Sequence, residues 1–293
     1  QEIFIMTSRI PYRTLSGTSR LAGVMGWPVS HSKSPRLHGY WLAKYGIDGS
    51  YMPLPVEPKN FQDALKSLRN LGFSGVNVTI PQKEMAMPEC DELSDRARRI
   101  GAVNTVTFAK DGRVLGDNTD GFGFIENLRQ EAPDIDFASG PAVVLGAGGA
   151  SRAVLVALLD EGIPEIRIAN RTRKRADDLA AEINDPRIKV VNWPLDPADL
   201  ANASLVVNTT SLGMVGQPKL EIDLEGLPKT ALVTDIVYAP LITDLLTQAK
   251  KRGNPVVDGL GMLLHQARPG FHRWFGIDPQ VTPELREFVL SPD

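Results

Sequence analysis

Along the chain, short dense apolar runs that suit buried strands alternate with longer stretches whose apolar residues recur every three or four positions, as on amphipathic helices. After Ser19 the run RLAGVMG reads as a strand, and the polar stretch WPVSHSKS at residues 27–34 as a loop closed by Pro35. Ser34 is then the N-cap, and Pro35 the first position, of a helix over residues 35–45 that ends at Gly46. A strand over residues 51–56 precedes a helix over residues 60–71, with Phe61, Leu65 and Leu68 on one face and Gly72 as its stop. GVNVTI at residues 75–80 alternates as a strand does; Pro81 breaks it, and Gln82, Lys83 and Glu84 begin another helix. A helix over residues 94–100 leads into a hairpin, residues 105–108 and 113–115, turning at Lys110, Asp111 and Gly112. DNTD at residues 117–120 caps a helix over residues 121–130 that crosses to a second domain.

The second half is organised around AVVLGAGGASRAVLVALL at residues 142–159, which reads as strand, tight glycine turn and helix. Further strands are expected at residues 166–169, 189–191, 205–208, 232–236 and 255–257. Six strands separated in several places by helical segments predict a doubly wound parallel sheet with a ligand crevice at the strand carboxyl ends. A helix over residues 259–275 and a short one from Pro283 return to the first domain. The expected fold is therefore α/β in two domains: a substrate-binding domain, residues 1–120 with 259–293, and a Rossmann-type dinucleotide-binding domain, residues 121–258.

With 293 residues and 42% hydrophobic content there is material for two cores. A net charge of −3 gives no general attraction to nucleic acid or to an anionic membrane, so a small-molecule partner is expected, in a monomer or homodimer. One cysteine, Cys90, excludes an internal disulfide, and the four histidines fall in no metal-binding spacing, so no metal is expected and all four are assigned structural or surface roles. Without a membrane-length apolar run or a signal-peptide core, the chain is read as cytoplasmic. Met6 is a candidate natural start, with residues 1–5 as an addition; the sequence leaves both readings open.

The glycine turn fits GxGxxG with Gly146 and Gly148 in place and Ser151 at the third position. Such turns also serve plain helix–strand packing, but here a pyrophosphate could lie on the following helix's free N–H groups. A site preferring NAD carries an acidic residue about twenty positions on. This chain has Asn170 there, followed by Arg171, Thr172, Arg173, Lys174 and Arg175. Against the alternative of a solvated basic turn, that position favours a 2′-phosphate and hence NADP(H). Reducing a ketone by hydride leaves an oxyanion that needs a proton, for which Lys83 and Asp120 are the candidate pair. A surface lysine and a helix-capping aspartate are the structural alternatives, although a lysine in a helix's first turn would oppose the macrodipole. Asn77 and Asn104 suit turns or hydroxyl ligands, and Ser32 and Ser34 suit a carboxylate or a cap.

Seven motifs in order, HSKSP, NVTIPQKE, GAVNT, GDNTDG, GAGGASR, NRT and DGLGMLLHQA, give a chain that resembles shikimate dehydrogenases from about Leu21 to Phe275. The resemblance implies NADPH-dependent, reversible reduction of 3-dehydroshikimate to shikimate, a step of aromatic amino-acid biosynthesis. It implies Lys83 and Asp120 as the catalytic pair, Ser32 and Ser34 at the substrate carboxylate, and Asn77, Thr79, Asn104, Tyr238 and Gln266 as substrate contacts. It also implies an NADP site at Gly146, Ala147, Gly148, Gly149, Ala150 and residues 170–175, with Ile236 and Gly259 near the nicotinamide and Asp95 as a further contact. Two other readings stand beside it: a quinate/shikimate dehydrogenase, which would take quinate and often NAD, and a non-catalytic NADPH-binding sensor. The basic cluster opposes the first, and the joint presence of Lys83, Asp120 and the two amides goes unexplained by the second.

Overall fold

The computed structural model describes residues 14–291, so the candidate start at Met6 lies outside the described residues. Two six-stranded sheets organise the chain. The first contains β1 (Arg20–Gly26), β2 (Gly49–Pro55), β3 (Gly75–Val78), β4 (Glu92–Leu93), β5 (Thr105–Phe108) and β6 (Val114–Asp117), in the order β2-β1-β3-β5-β6-β4. It is mixed: β1 pairs in parallel with β2 and β3, while β5 runs antiparallel to both β3 and β6. Its helices are α1 (Ser34–Lys44), α2 (Phe61–Asn70) and the short α3 (Asp95–Ile100).

The second sheet holds β7 (Ala142–Leu145), β8 (Ile166–Ala169), β9 (Ile188–Val190), β10 (Leu205–Asn208), β11 (Leu232–Asp235) and β12 (Val256–Val257). All its pairs are parallel, and the order β12-β11-β10-β7-β8-β9 reverses beside β7, the doubly wound arrangement expected from the strand rhythm. Its strands are buried on both faces, by α4 (Asp120–Glu131) and α5 (Gly149–Asp160) on one side and by α8 (Asp244–Arg252) on the other. The remaining helices are α6 (Arg173–Ile183), α7 (Pro197–Leu200), α9 (Leu260–Phe275) and α10 (Pro283–Leu290).

Helix α9 covers the first sheet. Its Trp274 lies directly on Gly75 of β3, where a Cβ would collide with the indole, and the indole N–H donates to the Val106 carbonyl at 3.1 Å. Helix α4 crosses α9 closely because glycines stand at the contact: a Cβ on Gly123 would come within 2.5 Å of the Met262 carbonyl, and one on Gly261 would overlap the Asn127 amide.

Three local expectations are corrected. No α-helix begins at Gln82: residues 80–86 form turns, followed by a single 3-10 turn at Met87–Glu89. The Lys83 carbonyl accepts from Val103 N–H at 2.9 Å, and the buried Gln82 amide donates to the Val56 carbonyl at 2.5 Å, so tertiary bonds replace the helical ones. Lys83 therefore faces no helix macrodipole of its own segment. Ser34 is inside α1 rather than its cap; Lys33 is the N-cap and makes no side-chain capping bond. Thr119, not an aspartate of DNTD, is the N-cap of α4, and Asn118 Oδ1 accepts from the Asp120 amide at 3.1 Å.

Two histidines are buried in unusual surroundings. His38 on α1 is fully buried, stacks parallel on Tyr51 at 3.8 Å, and among the described residues has no partner at either ring nitrogen. Burial pushes its pKa down to about 3. His265 on α9 falls to about 4, through burial and then the charge of Arg268. Both are neutral in the fold, whereas the unfolded chain takes up protons near pH 6.5. Stability is thus complete above about pH 6.5 and falls with pH below it, by about 1.4 kcal/mol per unit for each histidine. Denaturant unfolding at pH 7, 6 and 5 checks this, and His38→Phe should show about half the wild-type slope. A stability unchanged from pH 7 to 5 would refute it.

Candidate active site

The carboxyl end of β11, the start of α9 and the loops after β1 and β3 enclose a cavity of about 270 Å³. Its lining includes Ser32, Ser34, Asn77, Thr79, Lys83, Asn104, Asp120, Ile236, Tyr238, Gly259 and Gln266, so one space gathers residues spread over most of the chain. At its centre Lys83 Nζ lies 2.5 Å from Asp120 Oδ2. Asp120 projects from the first turn of α4, and its other oxygen accepts from Asn104 Nδ2 at 2.8 Å. Both charged side chains are partly buried, at 28% and 15% exposure, leaving a path to water.

Asn104 is held hard in place. Its Oδ1 accepts from the Thr119 amide at 2.9 Å and from the Thr105 and Thr119 hydroxyls at 2.9 and 3.1 Å. That fixes its amide orientation, so Nδ2 faces Asp120 and, at 3.4 Å, Gln266 Oε1. Asn77 is set similarly: Nδ2 donates to the Asn104 carbonyl at 3.0 Å and to Thr105 Oγ1 at 3.1 Å. Ser32 and Ser34 stand at the start of α1, where the Ser34 amide donates to Ser32 Oγ at 3.3 Å. Burial raises the Tyr238 hydroxyl pKa, which keeps it a donor.

Asp235, at the end of β11, is fully buried. Burial raises its pKa, opposed by hydrogen bonds from the Val237 amide, Thr243 and Asn208. Those bonds fix the segment that carries Ile236 and Tyr238 into the cavity. Gly259 closes the same corner, since a Cβ there would sit 2.5 Å from the Ile236 carbonyl. Sequence reasoning gave Asp235 no role, although the polar DIVY stretch at the end of an apolar strand was a usable signal. His31, assigned a structural or surface role, lines the cavity together with Lys33, Met262 and Leu263. Its position inside the HSKSP motif was the available clue.

The glycine turn follows β7. Gly146 has a positive φ of 107° and touches Thr209, while a Cβ on Gly148 or Gly149 would meet nothing within 4 Å. The turn is thus tight toward the sheet and open outward. Ser151 Oγ donates to the Gly146 carbonyl at 2.7 Å, which explains why a small polar residue serves at the third motif position. Gly148 is the N-cap of α5 without a side-chain cap, so the first amides of that helix remain available, as a pyrophosphate requires. Ala147 and Ala150 flank them. Asn170 donates to the Thr172 carbonyl at 2.8 Å and shapes the turn before α6.

The basic residues there divide. Arg173 bonds Asn192 Oδ1 at 2.6 Å, and Lys174 pairs with Asp178 one turn along α6. Arg171 and Arg175 are exposed and make no ion pair among the described residues; Arg171 borders an open recess with Trp193 and Leu220. These two guanidinium groups suit a 2′-phosphate. Asp95 is exposed on α3, paired with Arg98 at 2.7 Å, and does not line the cavity. Among the described residues no group of three His, Cys, Asp or Glu side chains is placed to hold a metal ion, and no helix is long and apolar enough to cross a membrane.

Comparison with known proteins shows which family the chain is similar to. Residues 24–106 match the family described as shikimate dehydrogenase substrate binding domain, and residues 128–236 the family described as shikimate / quinate 5-dehydrogenase. A shikimate dehydrogenase (NADP(+)) of Paramagnetospirillum magneticum is 58% identical over 94% of this chain and 100% of its own. A shikimate 5-dehydrogenase from Thermus thermophilus, solved with NADP(H) and shikimate, superposes with a TM-score of 0.81 at 39% identity, covering 92% of this chain and 98% of that one. A quinate dehydrogenase from Corynebacterium glutamicum in complex with NAD superposes with a TM-score of 0.85 at 32% identity, covering 93% and 99%. Identity sustained along nearly the whole length, with a fold that superposes over 92% of the chain, means that the chain belongs to the shikimate dehydrogenase family.

Proposed function

We propose that the protein catalyses the NADPH-dependent, reversible reduction of 3-dehydroshikimate to shikimate, within aromatic amino-acid biosynthesis in the cytoplasm. The observation that carries this reading is the Lys83–Asp120 pair at 2.5 Å, set in a cavity that Ile236 and Gly259 also line. In this reading the division falls at Asp120 and Asp258, with the substrate held by residues on one side and the dinucleotide by residues on the other.

The glycine turn and the first amides of α5 would hold the pyrophosphate, and Arg171 and Arg175 the 2′-phosphate. Bound there, NADPH supplies the hydride. The chain's own residues do the rest. Ser32 and Ser34 hold the substrate carboxylate, while Asn77, Thr79, Tyr238 and Gln266 hold ring hydroxyls. As hydride reaches the carbonyl carbon, the π electrons move onto oxygen and Lys83 Nζ gives that oxygen a proton. Asp120 orients the ammonium through one carboxylate oxygen and is itself oriented by Asn104 through the other. Partial exposure lets Lys83 regain its proton from water.

One plate assay tests the reading: nicotinamide absorbance is followed with shikimate or quinate, each with NADP or NAD. Shikimate with NADP is expected to dominate. The double variant Arg171→Ala/Arg175→Ala should raise KM for NADP by about tenfold or more and leave KM for NAD within about twofold. Comparable turnover of quinate, or preference for NAD, moves the protein to quinate/shikimate dehydrogenase, and no turnover in any mixture overturns the enzymatic reading.

A further inference from the structure

Behind the cavity wall lies a phenol with no part in the chemistry above. Tyr51 on β2 is buried and does not line the cavity, yet its hydroxyl donates to Asn77 Oδ1 at 2.6 Å. Asn77 stands on β3 and lines the cavity, so Tyr51 braces it from behind.

What this bond controls follows from the inventory of Asn77. Both Nδ2 hydrogens are committed inside the protein, to the Asn104 carbonyl and Thr105 Oγ1. Only Oδ1 is left to meet a ligand, and an amide oxygen has two acceptor directions. Tyr51 occupies one of them, so the other is the direction in which a ligand hydroxyl can donate. Tyr51 itself is immobile: its ring stacks on His38 at an interplanar angle of 1°, and His38 is packed against Trp41, Phe271 and Trp274. Burial raises the phenol pKa well above its usual value, so it stays a donor throughout the working range.

We infer that Tyr51 is a positioning residue for substrate binding, acting through Asn77: its hydroxyl fixes the direction in which the Asn77 amide oxygen accepts a hydrogen bond from a substrate ring hydroxyl. This rests on the function proposed above, which supplies the substrate. Tyr51 touches neither substrate nor dinucleotide.

The test is steady-state kinetics of the full chain with shikimate and NADP. Tyr51→Phe keeps the ring and its stack and removes only the donor. It is expected to raise KM for shikimate about tenfold, the effect of losing one well-aligned hydrogen bond, with kcat and KM for NADP within about threefold of wild type. Tyr51→4-aminophenylalanine returns a donor to the same place and should bring KM back within about threefold. In an Asn77→Ala background, Tyr51→Phe should change KM by less than about twofold, since the group it acts through is gone. A tenfold effect that persists without Asn77, or a Tyr51→Phe enzyme that loses thermal stability while keeping the wild-type KM, overturns the inference. Failure of the wild-type chain to oxidise shikimate overturns the function instead, so the two failures are told apart by the wild-type control.

Discussion

Replacing Lys83 by alanine lowers kcat for shikimate oxidation by about 10²–10⁴-fold and shifts KM for shikimate and for NADP by no more than about threefold. The split follows from where the ammonium does its work. In the ground state Lys83 faces a neutral carbonyl or hydroxyl and is already satisfied by Asp120 at 2.5 Å, so binding gains little from it. In the transition state the same N–H meets a developing alkoxide inside a partly buried cavity, where charge stabilisation is strongest. Alanine removes the proton carrier and leaves the Asp120 carboxylate with Asn104 alone as partner among the described residues, which adds negative potential beside the oxyanion. Initial rates over a matrix of both substrates measure the split. A variant that keeps the wild-type kcat, or one whose loss lies entirely in KM, removes Lys83 from the proton transfer.

Substituting Asp117, three residues before Asp120, should unsettle the fold rather than the chemistry. Asp117 is fully buried at the end of β6 and accepts from Arg96 Nε and Nη2 at 2.7 and 2.6 Å, from Ser94 Oγ at 2.6 Å, and from the Asn118 amide at 2.8 Å. Arg273 of α9 reaches it from the other side at 2.9 Å. Burial by itself would raise its pKa, but the Arg96 and Ser94 hydrogen bonds and the two guanidinium charges outweigh that and hold it at about 2. Asp117→Asn keeps the shape and leaves both arginines without a counter-charge, a loss expected at about 3 kcal/mol. This is the low end for a broken buried pair, because Arg96 and Arg273 remain about one-third exposed and keep part of their hydration. Thermal unfolding should show a fall of roughly 6–12 °C. The sign with pH also follows. Native Asp117 is ionised where the unfolded group, near 3.9, begins to protonate, so its stabilisation is full above about pH 4 and disappears as pH falls toward 2. The asparagine variant should lose the wild-type acid sensitivity in that window. A Tm within about 2 °C of wild type would sink the argument.

The two aspartates of DNTD show how far a sequence reaches. Both look like helix-capping acids, and neither is one: Asp117 anchors three elements and Asp120, in the first turn of α4, turns into the cavity, while Thr119 occupies the cap position. Residue types and their order were enough to single out Asp120, because a proton-relay pair needs a carboxylate. The strand rhythm likewise placed the parallel sheet and the glycine turn, since strands buried on both faces read as continuous apolar runs. What stayed illegible was decided by partners distant in the chain. Gln82 and Lys83 carry helix-compatible side chains, yet their turn is set by bonds to Val56 and Val103. Tyr51 sits in an ordinary strand, and nothing local reveals that its hydroxyl meets Asn77, twenty-six residues on. In the basic run, composition counted four equal charges, whereas Asp178 neutralises Lys174 and Asn192 ties down Arg173, leaving Arg171 and Arg175 without an ion pair among the described residues.

Helix α9 has a consequence for how the protein is made. The face formed by β1, β2 and α1, with Ala22, Val24, Leu37, Trp41 and Tyr51, is completed by Leu264, Phe271, Trp274 and Phe275 of α9. A ribosome finishes the first sheet at Asp117 and must translate the whole second sheet before α9 emerges. At about 5–20 residues per second, the roughly 140 residues between them take roughly 7–28 s. For that interval the nascent chain carries an uncovered aromatic surface, and the parallel sheet behind it closes first. The face of β1, β2 and α1 can thus be completed only once α9 has been made, and a weakened sequence at the aromatic residues of α9 should lose yield to aggregation before it loses activity.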